Sequence, residues 1–155
     1  MKKLRDRDES EIKAVLKARE VVSRRRHNVM TRRVGELLPN LSMSDGEAKH
    51  YLYDIVIFNY DSSGRDLLME AKPDPDKGSL RIAIGQLFDY RRFLKNQAGT
   101  DLAILTITRP PKDYVEFLQD LQITSLWFAD AKCERLSGEG KSWRALKRQL
   151  ASCKP

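Results

Sequence analysis

Apolar residues recur in two rhythms along this chain, and the switches between them outline its elements. From Glu9 to Arg26, Ile12, Val15, Leu16 and Val22 fall near helical spacing in a basic surround, which predicts a helix. Ser23 or Asn28 marks a break, and Met30, Val34, Leu37 and Leu38 then set out a second helical pattern. Pro39-Asn40 and Asp45-Gly46 make a loop. Tyr51 to Phe58, rich in β-branched and aromatic residues, reads as a strand, and Asn59 to Arg65, with Ser62-Ser63-Gly64, as a turn. Asp66 to Lys72 follows as a second strand, stopped by Pro73 and Pro75. Leu80 to Leu94 returns to helical spacing through Ala83, Leu87, Tyr90 and Leu94. Asp101 to Ile107 is a third strand, Lys112 to Leu121 a short helix, Thr124 to Ala129 a fourth strand and Trp143 to Ala151 a closing helix. Helices, then a hairpin, then strand and helix in alternation predict an α/β fold, a mixed sheet of four to five strands flanked by helices.

A length of 155 residues is that of one domain, with a basic helical segment at 1–38, a core at 50–130 and a C-terminal extension at 131–155. The hydrophobic fraction of 41% argues against a disordered chain. No apolar run approaches the roughly 20 residues of a membrane span, and Met1-Lys2-Lys3 leads into charge rather than a signal-peptide core. Cys133 and Cys153 lack metal-ligand spacing, so a reduced, cytoplasmic setting is expected. The net charge of +7 is unevenly placed. Residues 1–33 hold 12 Lys/Arg against five Asp/Glu, whereas the remainder holds 17 of each. Clustered cations at Arg24, Arg25, Arg26, Arg32 and Arg33 attract polyanions by counterion release, but they equally suit a solvated helix face.

The hairpin carries sharper chemistry. Side chains alternate along a strand, so Glu70 and Lys72 share a face that Ala71 does not. A turn centred on Ser62 places Asp54 opposite Glu70, their Cβ atoms roughly 5 Å apart. Carboxylates that close repel unless a cation lies between them, which a divalent metal supplies and a neighbouring ammonium assists. A slip of one residue in register would put the acids on opposite faces. The trio permits metal-assisted phosphodiester hydrolysis, with hard oxygen ligands suited to Mg²⁺ or Mn²⁺ and Lys72 orienting water or stabilising developing charge. An acid two residues before a lysine is common here: Glu11/Lys13, Glu47/Lys49, Glu70/Lys72, Asp130/Lys132 and Glu139/Lys141 all qualify. Only Glu70/Lys72 follows a strand paired through a short hairpin to another acid-bearing strand. Asp130/Lys132, after Leu126-Trp127-Phe128, is the strongest decoy, and with Asp101 it forms a third reading of the site.

Tyr53-Asp54, Glu70-Ala71-Lys72 and Gln86-Leu87-Phe88-Asp89-Tyr90 together resemble the motif series of the PD-(D/E)xK nuclease superfamily, the restriction-endonuclease-like fold. The run from Arg81 to Arg92 is similar to the helix after the catalytic strand in RecB-like nucleases, where Gln and Tyr stand four apart. Gln86 and Tyr90 keep that spacing and so share a helix face. The likeness spans roughly residues 20–130, with motif-level matches between 53 and 92, and Tyr53 stands where the motif has proline. It implies a restriction-endonuclease-like core, an active site at the sheet edge, a divalent metal held by Asp54 and Glu70, Lys72 in catalysis and DNA as substrate. The family also sets an acid or His on an early helix. If residues 27–38 form one helix, His27 shares a face with Met30, Val34 and Leu38, while Glu36 lies about 180° away. Periodicity favours His27 and chemistry favours Glu36. His50 reads as structural.

The expected function is therefore a Mg²⁺-dependent endonuclease or exonuclease acting on DNA in restriction, defence or repair. The arginines already named hold the backbone, with Arg91 and Arg92 as further contacts. So small a domain has limited surface to surround a duplex, which is consistent with a homodimer. The alternative is a catalytically inactive nucleic-acid-binding or assembly module on the same fold.

Overall fold

The computed structural model describes residues 9–46 and 53–152. His50, the first two residues of the predicted strand at 51–58, and Cys153 lie outside them. The elements in chain order are α1 (Glu9–Leu37), β1 (Ser42–Ser44), β2 (Ile55–Phe58), β3 (Asp66–Lys72), α2 (Lys77–Arg91), β4 (Thr100–Thr106), α3 (Lys112–Asp120), β5 (Ile123–Phe128), β6 (Leu136–Glu139) and α4 (Trp143–Ser152). The six strands form one open mixed sheet in sequential order. β1 pairs antiparallel with β2 and β2 with β3; β3, β4 and β5 run parallel; β6 turns back antiparallel on β5.

Period-two alternation divides the strands between two apolar layers. Ile55, Ile57, Leu67, Met69 and Ala71 face Met30 and Val34 of α1 and Leu38 just after it, and the same layer receives Leu146 of α4. Val56, Leu68, Leu102 and Ile104 face Leu80, Ala83 and Leu87 of α2 and Leu118 of α3. β3 and β4, covered on both faces, read as nearly continuous buried runs, as central parallel strands do. Among the described residues, no helix is long and apolar enough to cross a membrane.

Three expectations about elements need correction. α1 is a single helix, and neither Ser23 nor Asn28 breaks it. Both are only mildly unfavourable inside a helix, and no proline or glycine lies between Glu9 and Arg33 to enforce a stop. α2 begins three residues before Leu80, because the Asp76 side chain accepts a hydrogen bond from the Ser79 backbone N–H at 3.0 Å and caps it. The sheet has six strands rather than four or five, since the edge strands β1 and β6 were too short and polar to register as patterns. β6 lies so close to β5 that a Cβ on Gly138 would come within 2.7 Å of the Leu126 side chain and 2.8 Å of the Ser125 carbonyl oxygen. Only glycine fits that approach.

Candidate active site

β2 and β3 pair in the register expected from the turn, with Ile55 opposite Met69, Val56 opposite Leu68 and Ile57 opposite Leu67. One step further along, Asp54 faces Glu70. The chain bends off the ladder at Asp54, whose Oδ2 takes over the pairing by accepting the Ala71 backbone N–H at 2.7 Å. That bond fixes the carboxylate at the end of the sheet. Its other oxygen, Oδ1, lies 2.8 Å from Nε2 of His27 on α1. Donating a hydrogen bond to Asp54, with help from the carboxylate's charge, raises the imidazole above its ordinary pKa despite partial burial.

Glu70, Lys72 and Gln86 form the second half of the cluster. Lys72 Nζ donates to Glu70 Oε1 at 2.9 Å and to Gln86 Oε1 at 2.6 Å. Gln86 Nε2 in turn donates to the Tyr90 hydroxyl at 3.3 Å. Glu70 is 3% exposed, and its Oε2 is buried with no hydrogen-bond partner. Burial, reinforced by the Asp54 charge, pushes the Glu70 carboxyl up to about 7, although Lys72 pulls the other way. An orphaned, desolvated carboxylate oxygen beside a second carboxylate is costly to the fold, and a divalent cation relieves both penalties. Among the described residues, no three His, Cys, Asp or Glu side chains group as a cage for a metal ion. Two carboxylates nevertheless suit Mg²⁺, which commonly takes one or two acids and completes its shell with water and substrate phosphate. Asp54 and Glu70 are donors of the hard-oxygen type that such an ion takes.

His27 stands at this cluster and Glu36 does not. Glu36 accepts from Arg33 at 2.7 Å and lies 3.7 Å from Arg32 on the outer side of α1, so its expected place in the site is corrected. The third reading is corrected as well. Asp101 lies near the start of β4, whereas Asp130 follows the end of the parallel strand β5, at the opposite end of the sheet. Asp130 holds the turn into β6 by accepting the backbone N–H groups of Glu134 and Arg135.

The arginines divide. A cavity of about 750 Å³ opens beside the cluster, lined by His27, Asn28, Thr31, Arg32, Tyr53 and Asp54 among others. Arg32 alone of the expected backbone contacts reaches it. Asn28 and Thr31 are not among the expected site residues; Thr31, four residues after His27, shares its helix face and could have been found so, whereas Asn28, the next residue, lies roughly 100° round the helix. Arg24 pairs with Glu20, Arg26 with Asp74 and Arg33 with Glu36; Arg25 is exposed. Arg92 pairs with Asp89 at 2.6 Å, and Arg91 stacks over Phe88 and lines a different cavity. The last two are therefore not part of this cluster.

No family model, curated protein or solved structure matches this chain.

Proposed function

We propose that the protein is a metal-dependent nuclease of the PD-(D/E)xK type that hydrolyses DNA phosphodiester bonds, using a restriction-endonuclease-like core. The observation that carries this reading is the unpartnered, buried Glu70 Oε2, set on one sheet end with Asp54 and Lys72. Asp54 and Glu70 would hold Mg²⁺ or Mn²⁺. When bound, the ion polarises the scissile phosphate and acidifies a water for attack.

The remaining work belongs to side chains. Lys72 donates two of its three N–H bonds to Glu70 and Gln86, leaving one for the attacking water or a phosphate oxygen. Its charge opposes the negative charge that builds on phosphorus. Gln86, braced by Tyr90, aims that ammonium. His27 locks the rotamer of Asp54 through Oδ1. Arg32 carries a positive charge into the neighbouring cavity, where the strand would run. The resemblance to RecB-like nucleases supports DNA as the polymer, and the basic face of α1 supports a polyanion generally.

The test is incubation of the protein with single- and double-stranded DNA in Mg²⁺, in Mn²⁺ and in EDTA. Cleavage in either metal and none in EDTA is expected. Binding without cleavage under every condition would leave the alternative of an inactive nucleic-acid-binding module.

A further inference from the structure

A second group of charged side chains, assembled from four separate stretches of chain, occupies the opposite end of the parallel strands. Asp101 sits near the start of β4, with its side chain 5% exposed. Its Oδ2 accepts the Tyr60 hydroxyl at 2.6 Å and Arg65 Nε at 2.8 Å. Its Oδ1 accepts the second Arg65 nitrogen at 2.8 Å and Lys141 Nζ at 2.9 Å. Both oxygens are saturated, so this carboxylate offers nothing to a ligand. Its effect is to aim two cations.

Those cations stay reachable. The side chains of Arg65 and Lys141 remain 31% and 51% exposed. Arg65 Nη1 has no protein partner among the described residues, and Lys141 uses only one of its three N–H bonds. They border a cavity of about 600 Å³ into which Arg91, stacked at 5.1 Å over Phe88, also faces. Gln122 adds an amide, and Phe88 and Leu121 add apolar wall. Three cations less one buried carboxylate leave a local charge of +2, which matches a phosphate monoester, close to a dianion at neutral pH. Arginine forks are the usual partners of such oxygens.

We propose that this cavity is a binding site for a phosphate monoester of nucleotide size, separate from the Asp54–Glu70 cluster. Counted from Arg65, just before β3, to Lys72 at its end, the two lie roughly 23 Å apart. The ligand is either a free mononucleotide or the terminal phosphate of a nucleic-acid strand, since both present the same group. The inference does not depend on the protein being a nuclease.

Calorimetric titration of the whole protein, in chloride buffer without divalent ions, tests it. The probes are inorganic phosphate, deoxyadenosine monophosphate, and one oligonucleotide with and without a 5′-phosphate. Saturable binding of a phosphate-bearing probe at one site is expected, weakened about tenfold by Lys141→Ala and again by Arg91→Ala. Lys147→Ala, which removes an exposed charge outside the cavity, should change it less than about twofold. Saturation by the mononucleotide identifies a free ligand. Saturation only by the 5′-phosphorylated oligonucleotide identifies a strand end. Both results support the site. Absence of saturation with every probe overturns it, as does loss on Lys147→Ala equal to the loss on Lys141→Ala, or oligonucleotide binding indifferent to the 5′-phosphate and to both cavity substitutions. Among the described residues Arg91 makes no ion pair, so its variant reads the site even if Lys141→Ala disturbs Asp101.

Discussion

Glu70 places a stability cost inside the proposed site. Its pKa is raised, so the folded state favours the protonated form, and the penalty for ionising it grows as pH climbs from about 4.5 to about 7. Without metal, the wild-type protein should lose stability across that window, and Glu70→Gln should remove the loss. The variant should then be more stable by about 2 kcal/mol at pH 8 and by little at pH 5. Chemical denaturation at the two pH values measures this. A variant less stable than wild type at pH 8 would mean that the Lys72 bond outweighs desolvation. Asp101 has the opposite sign. Burial alone would raise its carboxyl, but hydrogen bonds from Arg65, Tyr60 and Lys141 hold it well below the usual carboxylate range. Its contribution is complete above the ordinary pKa near 4 and is lost on acidification below that. Asp101→Asn should therefore cost about 3 kcal/mol at pH 7 by stranding two cations, with the gap to wild type closing towards pH 2. A gap that does not narrow in acid denaturation curves would contradict the assignment.

Elements differed in how openly the sequence declared them. The β2–β3 hairpin was legible because a tight turn fixes register, and register fixes which side chains share a face. His27 could be set on the inner face of α1 by helical period alone, and the choice between it and Glu36 fell where periodicity leaned. β6 was illegible for a physical reason: a four-residue strand with one large apolar side chain carries too little pattern, and its pairing rests on the absent side chain of Gly138. Gly138→Ala should strain the β5–β6 contact and destabilise the protein by about 1–3 kcal/mol. Thermal unfolding checks this, and an unchanged midpoint would show that β6 can shift outward freely. The continuity of α1 is hidden in the sequence because Ser23 and Asn28, weak helix formers, imitate stops.

At the scale of the molecule, a local pattern found one end of the sheet and could not find the other. Asp54, Glu70, Lys72, Gln86 and Tyr90 fall within one stretch of the chain, so spacing and resemblance sufficed. Tyr60, Arg65, Asp101, Lys141 and Ser142 meet only because β3 and β4 run parallel and β6 returns along β5; Tyr60 and Ser142, 82 positions apart, bond at 3.0 Å. No one-dimensional signal joins such residues. The architecture then divides the labour, with the start of β2 and the end of β3 holding the proposed reaction centre and the starts of β3 and β4 an ionic knot around the buried Asp101.

Lys72, aimed by Glu70 and Gln86, is proposed to serve cleavage rather than binding. The direct measurement compares wild type and Lys72→Ala for DNA cleavage in Mg²⁺ and for DNA affinity in Ca²⁺, at equal thermal stability. Lys72→Ala should lower cleavage by about a hundredfold or more, with affinity changed by no more than a few fold. Wild-type cleavage by Lys72→Ala, or loss of affinity in proportion to loss of cleavage, would contradict this role.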